Sequence, residues 1–100
     1  MEITTKKENG LLTVALKGRL DTQSAPELDE TLNAVLPGCG ALTFDLKELS
    51  YTSSAGLRVF LRAHKTMARQ GEMKLVNVSE PVMEIFEITG FTDILAIETA

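Results

Sequence analysis

The sequence predicts a compact α/β domain: a mixed β-sheet opened by an N-terminal hairpin, with helices packed on it. Three observations carry this. Two alternating runs flank Asn9-Gly10, later apolar runs alternate with stretches at helical spacing, and Ser, Pro and Gly residues punctuate the boundaries. The chain has 100 residues, 44% hydrophobic and 24% charged, which suits one ordered domain spanning residues 1–100.

Ile3, Thr5 and Lys7 alternate with Thr4, Lys6 and Glu8 before Asn9-Gly10, and Leu12, Val14 and Leu16 alternate with Thr13, Ala15 and Lys17 after it. Asn and Gly tolerate the positive φ of a type I′ turn, so this is a hairpin. Gly18 to Gln23 leads out of its second strand. Ser24-Ala25-Pro26-Glu27 has the form of a capping box, followed by the helical stripe Leu28, Leu32, Val35 and Leu36, which Pro37-Gly38 stops. Ala41 to Leu46 is the next strand, and the intervening helix implies a parallel crossover.

A second helix is expected from about Ala55 to Gln70, with Leu57, Phe60, Leu61, His64, Met67 and Ala68 facing inward. Arg58, Arg62, Lys65 and Arg69 fall on its outer face. This basic stripe reads as solvated helix surface, with a docking surface as the alternative. Gly71 ends the helix, and Met73 to Val78 is a strand. Ser79 caps a third helix through Thr89 with Val82, Ile85 and Phe86 inward, Gly90 stops it, and Ile94 to Ile97 forms a last short strand.

Composition excludes several function classes. A net charge of −4 argues against nucleic acid as a partner, while leaving room for a protein with a basic patch. No apolar run is long enough for direct membrane insertion, and the first residues lack a signal peptide's apolar core, so the expected location is cytoplasmic. One Cys, Cys39, and one His, His64, make neither an internal disulfide nor a zinc site. Cys39 sits in a turn-like loop and reads as inert.

No enzyme emerges. Thr52-Ser53-Ser54-Ala55-Gly56 carries Thr where a nucleophile elbow needs Gly. The one histidine base available to Ser54 is His64, about 15 Å along the same helix, and it reads as a packed core residue. Neither glycine-rich phosphate loop occurs. Asp29 and Glu30 diverge on their helix and read as solvated surface.

The stretch Leu49 to Leu57 stands where a strand hands over to a helix. Its serines suit a plain helix cap, and the free amides there also suit an anion. Ser53, Ser54, Ala55 and Gly56 are four small residues that would keep this corner low and open.

Around this corner the chain resembles the STAS domain family, specifically the stand-alone bacterial anti-sigma factor antagonists. The markers are Gly18-Arg19-Leu20-Asp21, Leu42-Thr43-Phe44-Asp45-Leu46, Tyr51-Thr52-Ser53-Ser54-Ala55-Gly56-Leu57, Leu75-Val76-Asn77-Val78, and the segment from Ser79 to Phe91. The resemblance implies a protein that binds an anti-sigma factor, itself a serine kinase, and so releases the sigma factor. It implies phosphorylation of Ser54 as the off-switch, with a phosphatase to reverse it. Asp21, Thr52, Ser53, Ala55, Gly56 and Arg58 are the implied partner-binding residues, and Asp21 would alternatively help cap the first helix. No cofactor is expected, because the nucleotide belongs to the partner. The family's usual Asp-Ser-Ser/Thr-Gly-Leu is Ser53-Ser54-Ala55-Gly56-Leu57 here. A STAS adaptor that never switches, in a signalling scaffold or as a soluble subunit of a membrane transport system, is the alternative.

Overall fold

The protein is described by a computed structural model covering residues 1–99. Its elements run β1 (Glu2–Glu8), β2 (Leu11–Leu20), α1 (Ala25–Val35), β3 (Ala41–Thr52), α2 (Ser54–Met67), β4 (Glu72–Val78), α3 (Glu80–Ile88), a 3-10 turn (Phe91–Asp93) and β5 (Ala96–Thr99). The five strands lie side by side in sequence order. β1 and β2 are antiparallel, and each later pair is parallel. The expected mixed sheet with its opening hairpin is therefore the observed fold. Asn9 and Gly10 have φ of 50° and 81°, the positive pair that closes a type I′ turn.

Buried residues of the central strands fall on one face: Leu12, Val14 and Leu16 of β2, Phe44 and Leu46 of β3, and Leu75 of β4. They share a single core with Leu28 and Leu32 of α1, Phe60 and Met67 of α2, and Phe86 of α3. The helices accordingly cover one face and leave the other to solvent. That bare face carries ion pairs, Lys17 with Glu2 and Glu48 at 3.9 and 3.8 Å and Lys74 with Glu98 at 3.9 Å. Exposed pairs of this kind add little stability but keep the face hydrated.

β3 runs to Thr52, six residues beyond the Leu46 end that alternation predicts. The reason lies in its pairing with β2. Ala15 opposes Asp45 but Lys17 opposes Glu48, and Gly18 opposes Leu49 but Arg19 opposes Tyr51. β3 thus holds an extra residue at two bulges, and its buried positions step from Leu46 to Leu49 to Thr52 instead of every second residue. The last strand is also displaced from Ile94–Ile97 to Ala96–Thr99, because Phe91–Asp93 winds into the 3-10 turn after Gly90, whose φ is 78°.

An aromatic ladder ties the layers together. Phe44 of β3 meets Phe60 of α2 edge-on at 5.0 Å between centroids, Phe60 meets Phe86 of α3 at 5.9 Å, and Phe86 stacks on Phe91 at 6.4 Å. Phe60 is completely buried at the middle of this ladder. Replacing it with Ala removes contacts to both neighbours and leaves a cavity. Phe60→Ala is expected to cost about 3–5 kcal/mol, read as a large fall in the urea midpoint.

Candidate functional site

Because β2, β3 and β4 are parallel and each is followed by a helix, the N-termini of α1, α2 and α3 all emerge at one end of the domain. The handover from β3 to α2 lies at that end. The Ser53 amide donates to the Leu20 carbonyl at 2.8 Å, fastening the junction to the end of β2. Ser53 then leaves the helix as its N-cap, with φ −90° and ψ 175°, and its hydroxyl accepts a 3.4 Å hydrogen bond from the Gly56 amide.

Ser54 is the first residue of α2 and is exposed, and its hydroxyl has no hydrogen-bond partner among the described residues. Its oxygen faces solvent at the positive end of a helix dipole. Ser53 and Ala55 beside it are half-buried, and Arg58 is exposed one turn further on. Thr52 and Gly56 have a different place. Thr52 is 2% exposed, and Gly56 is buried against it and Leu20. Both shape the corner from beneath. A Cβ on Gly56 would collide with the Thr52 hydroxyl and come within 2.6 Å of Leu20 Cγ.

No side chain caps α1 at Ser24; Asp21 instead closes the turn that leads into the helix. Its Oδ1 accepts the amides of Gln23 and Ser24, each at 3.0 Å. The Ser24 hydroxyl instead accepts from the Asp21 amide at 2.9 Å and donates to the Arg19 carbonyl at 2.8 Å. Ser24 has φ −92° and ψ −21°, already turned toward the helix, so the Ser24–Glu27 capping box does not form. The amide of Ser24, then burial opposing it, then the Gln23 amide and the Ser24 hydroxyl act on the Asp21 carboxyl. The net effect holds its pKa below the ordinary value of 3.8. Asp21 therefore closes the loop between β2 and α1, and with Arg19, Gln23 and Glu27 it borders a shallow groove.

One neighbour was invisible to sequence reasoning. The Arg19 guanidinium lies 4.3 Å over the Tyr51 ring, on strands paired at that point. Only the two-bulge register brings them together, so no spacing rule reveals the pair.

α2 is also rolled relative to the expected inner face. Gly56, Leu57, Val59, Phe60, Ala63 and Met67 are buried, whereas Leu61 and His64 are half-buried and Ala68 is exposed. His64 is therefore no core residue. It borders a concavity of about 670 Å³ with Leu42, Met67 and Met73, at the strand beginnings and thus the far end from Ser54. Cys39 is buried, with Sγ donating to the Ala41 carbonyl at 2.9 Å. Ser79 occupies the α3 N-cap, but its hydroxyl donates to Leu49 O at 3.4 Å rather than capping.

The STAS domain family model matches residues 2–100. The chain belongs to the STAS domain family. It is 36% identical over 98 residues to the anti-sigma-B factor antagonist of Bacillus subtilis, spanning 97% of this chain and 90% of that protein. The fold is shared with an anti-sigma factor antagonist of Mycobacterium paratuberculosis, at TM-score 0.89 and 19% identity over 99% of this chain and 86% of that one. It is shared too with the Bacillus cell fate determinant SpoIIAA in its phosphorylated form, at TM-score 0.75 and 19% identity over 98% of this chain and 92% of that one.

Two outcomes check this description of the STAS corner. Gly56→Ala gains up to about 1 kcal/mol of helix propensity but overpacks a rigid contact for about 1–3 kcal/mol; a net fall in melting temperature is expected by calorimetry. Asp21 stabilises the fold fully above its ordinary carboxylate pKa, and that contribution disappears as pH falls through the lower folded value. Asp21→Asn should therefore melt at a lower temperature than wild type at pH 7, with the gap closing on acidification.

Proposed function

We propose that this STAS domain is an anti-sigma factor antagonist that binds a serine-kinase anti-sigma factor and so releases the sigma factor. Phosphorylation of Ser54 ends the binding, and a phosphatase restores it. The observation that supports this reading best is Ser54, exposed at the start of α2 with no hydrogen-bond partner for its hydroxyl among the described residues. The likeness to the B. subtilis anti-sigma-B factor antagonist supports the class of partner.

The physical effect of the switch follows from charge. A phosphoserine carries about −1.5 to −2 at neutral pH. At Ser54 it would meet the positive end of the α2 dipole and the exposed Arg58 one turn away. The fold thus tolerates it. The penalty falls on the complex, where a doubly charged, hydrated group must be stripped of water against the partner. Asp21, Ser53, Ala55 and Arg58 frame the contact, while Thr52 and Gly56 hold its shape from inside.

A STAS adaptor that never switches differs in its partners. A pull-down that returns scaffold or transporter subunits instead of a kinase-fold protein selects that alternative.

Ser54→Ala is expected to bind the kinase as wild type does and to take up no phosphate after incubation with kinase and ATP. Mass spectrometry that finds the phosphate on Thr52 or Ser53 would refute the assignment. Ser54→Asp should weaken binding by tenfold or more, about 1.4 kcal/mol, with its melting temperature nearly unchanged. Equal affinities of wild type and Ser54→Asp by titration calorimetry would rule out the interface mechanism.

A further inference from the structure

Ser54 does not stand alone on the outer side of α2. Arg58, Arg62 and Lys65 follow it at helical spacing. At about 100° per residue, these four fall within roughly 80° of one another around the axis. All are exposed, and Arg69 continues the line in the turn after the helix. α2 itself contains no acidic residue. Four cations thus line one helix side of a chain whose net charge is −4.

Off the stripe, Lys6, Lys17 and Lys74 sit within 4 Å of carboxylates. Lys7 donates to backbone carbonyls, Arg19 stacks on Tyr51, and Lys47 has no carboxylate within salt-bridge distance among the described residues. On the stripe, only Arg62 is matched, by Asp29 of α1 through two 3.2 Å contacts. Arg58, Lys65 and Arg69 have no carboxylate within salt-bridge distance among the described residues. Arg62, Lys65 and Arg69 border a shallow concavity with Thr66 and Gln70. Lys65 and Arg69, beside the Asp29-bound Arg62, therefore border one dent in the surface with charge left to offer a carboxylate side chain.

The chemistry selects the occupant. The exposed large apolar residues are Leu11, Ile88 and Ile94, so α2 offers a bilayer nothing to bury. The acidic remainder of the chain repels a nucleic-acid backbone beyond the stripe. A folded acidic surface complements the stripe locally without meeting the rest of the domain. From Ser54 to Arg69 is ~22 Å at 1.5 Å per residue, within the span of an ordinary protein interface.

We propose that the outer side of α2, from Arg58 to Arg69, is a docking track for an acidic face of the anti-sigma kinase. This rests on the antagonist reading above. The track steers the kinase along α2 and brings its catalytic end to Ser54. Phosphate at Ser54 then claims Arg58 and removes positive charge from the head of the track.

The test titrates the full chain against the serine-kinase anti-sigma factor encoded in the same genome, by calorimetry at 50 and 300 mM NaCl. Wild type is expected to bind about tenfold or more weakly at the higher salt. Lys65→Glu/Arg69→Glu should lose tenfold or more at low salt and most of the salt dependence. Lys65→Gln/Arg69→Gln should fall between, both variants melting as wild type does. Wild-type binding with either variant within twofold overturns the track and leaves the antagonist reading standing. No wild-type binding brings down the antagonist reading, and the track with it. Vesicles containing phosphatidylglycerol and a DNA duplex serve as further probes, and binding to either that the double reversal abolishes overturns the choice of a protein partner.

Discussion

The close seating of the first turn of α2 on the end of β2 is the constraint on which the corner around Ser54 depends. Gly56 has no side chain to hold it off, so the helix settles onto Leu20 and the buried Thr52. The Ser53 amide closes the same contact by donating to the Leu20 carbonyl. With residues 52 and 56 turned inward, the helix geometry leaves Ser54 facing out. A single small residue thus lets α2 lie close on the sheet, with Ser54 exposed at its start. Parallel strand order does the rest by placing the beginnings of α1 and α3 at the same end.

Much of the architecture was readable because local and global preferences agree. Asn9-Gly10 supplies the two positive φ values that its turn needs, and the apolar alternation of β2 matches the face that the helices cover. Pro37-Gly38 does end α1, and Gly90 does stop α3 in a left-handed conformation. What escaped reading was where the period breaks. Each bulge in β3 moves burial from two-residue to three-residue steps, so the end of the strand looked like a loop. In α2, Leu57, Phe60 and Met67 face inward as expected, but Leu61, His64 and Ala68 do not. The face is completed by Val59 and by Gly56 and Ala63, whose smallness lets the helix sit close and which no hydropathy stripe emphasises.

The corner itself was partly legible. A serine before a helical run is a cap signal, and Ser53 fills that role. The resemblance carried Ser54 to its place, since spacing alone does not separate it from its neighbours. The sequence pattern favoured Ser24 with Glu27 as a cap, but Ser24 is turned toward the helix, and the Asp21 carboxylate holds the amides of Gln23 and Ser24 in the turn before it. Arg19 over Tyr51 depended on a register that no one-dimensional pattern contains. The cations of the α2 stripe were visible in sequence, but that Arg62 alone among them meets a carboxylate, Asp29, became evident only in three dimensions.

The neutral hydroxyl at the α2 cap has a consequence for signal contrast. Where a family member holds an aspartate in that position, a transferred phosphoryl group joins a charge already present, and part of the local field exists before the switch is thrown. Ser53 contributes no such background. The side chain at the cap is uncharged at rest, so under the proposed switch the whole change in side-chain charge there would come from the phosphoryl group.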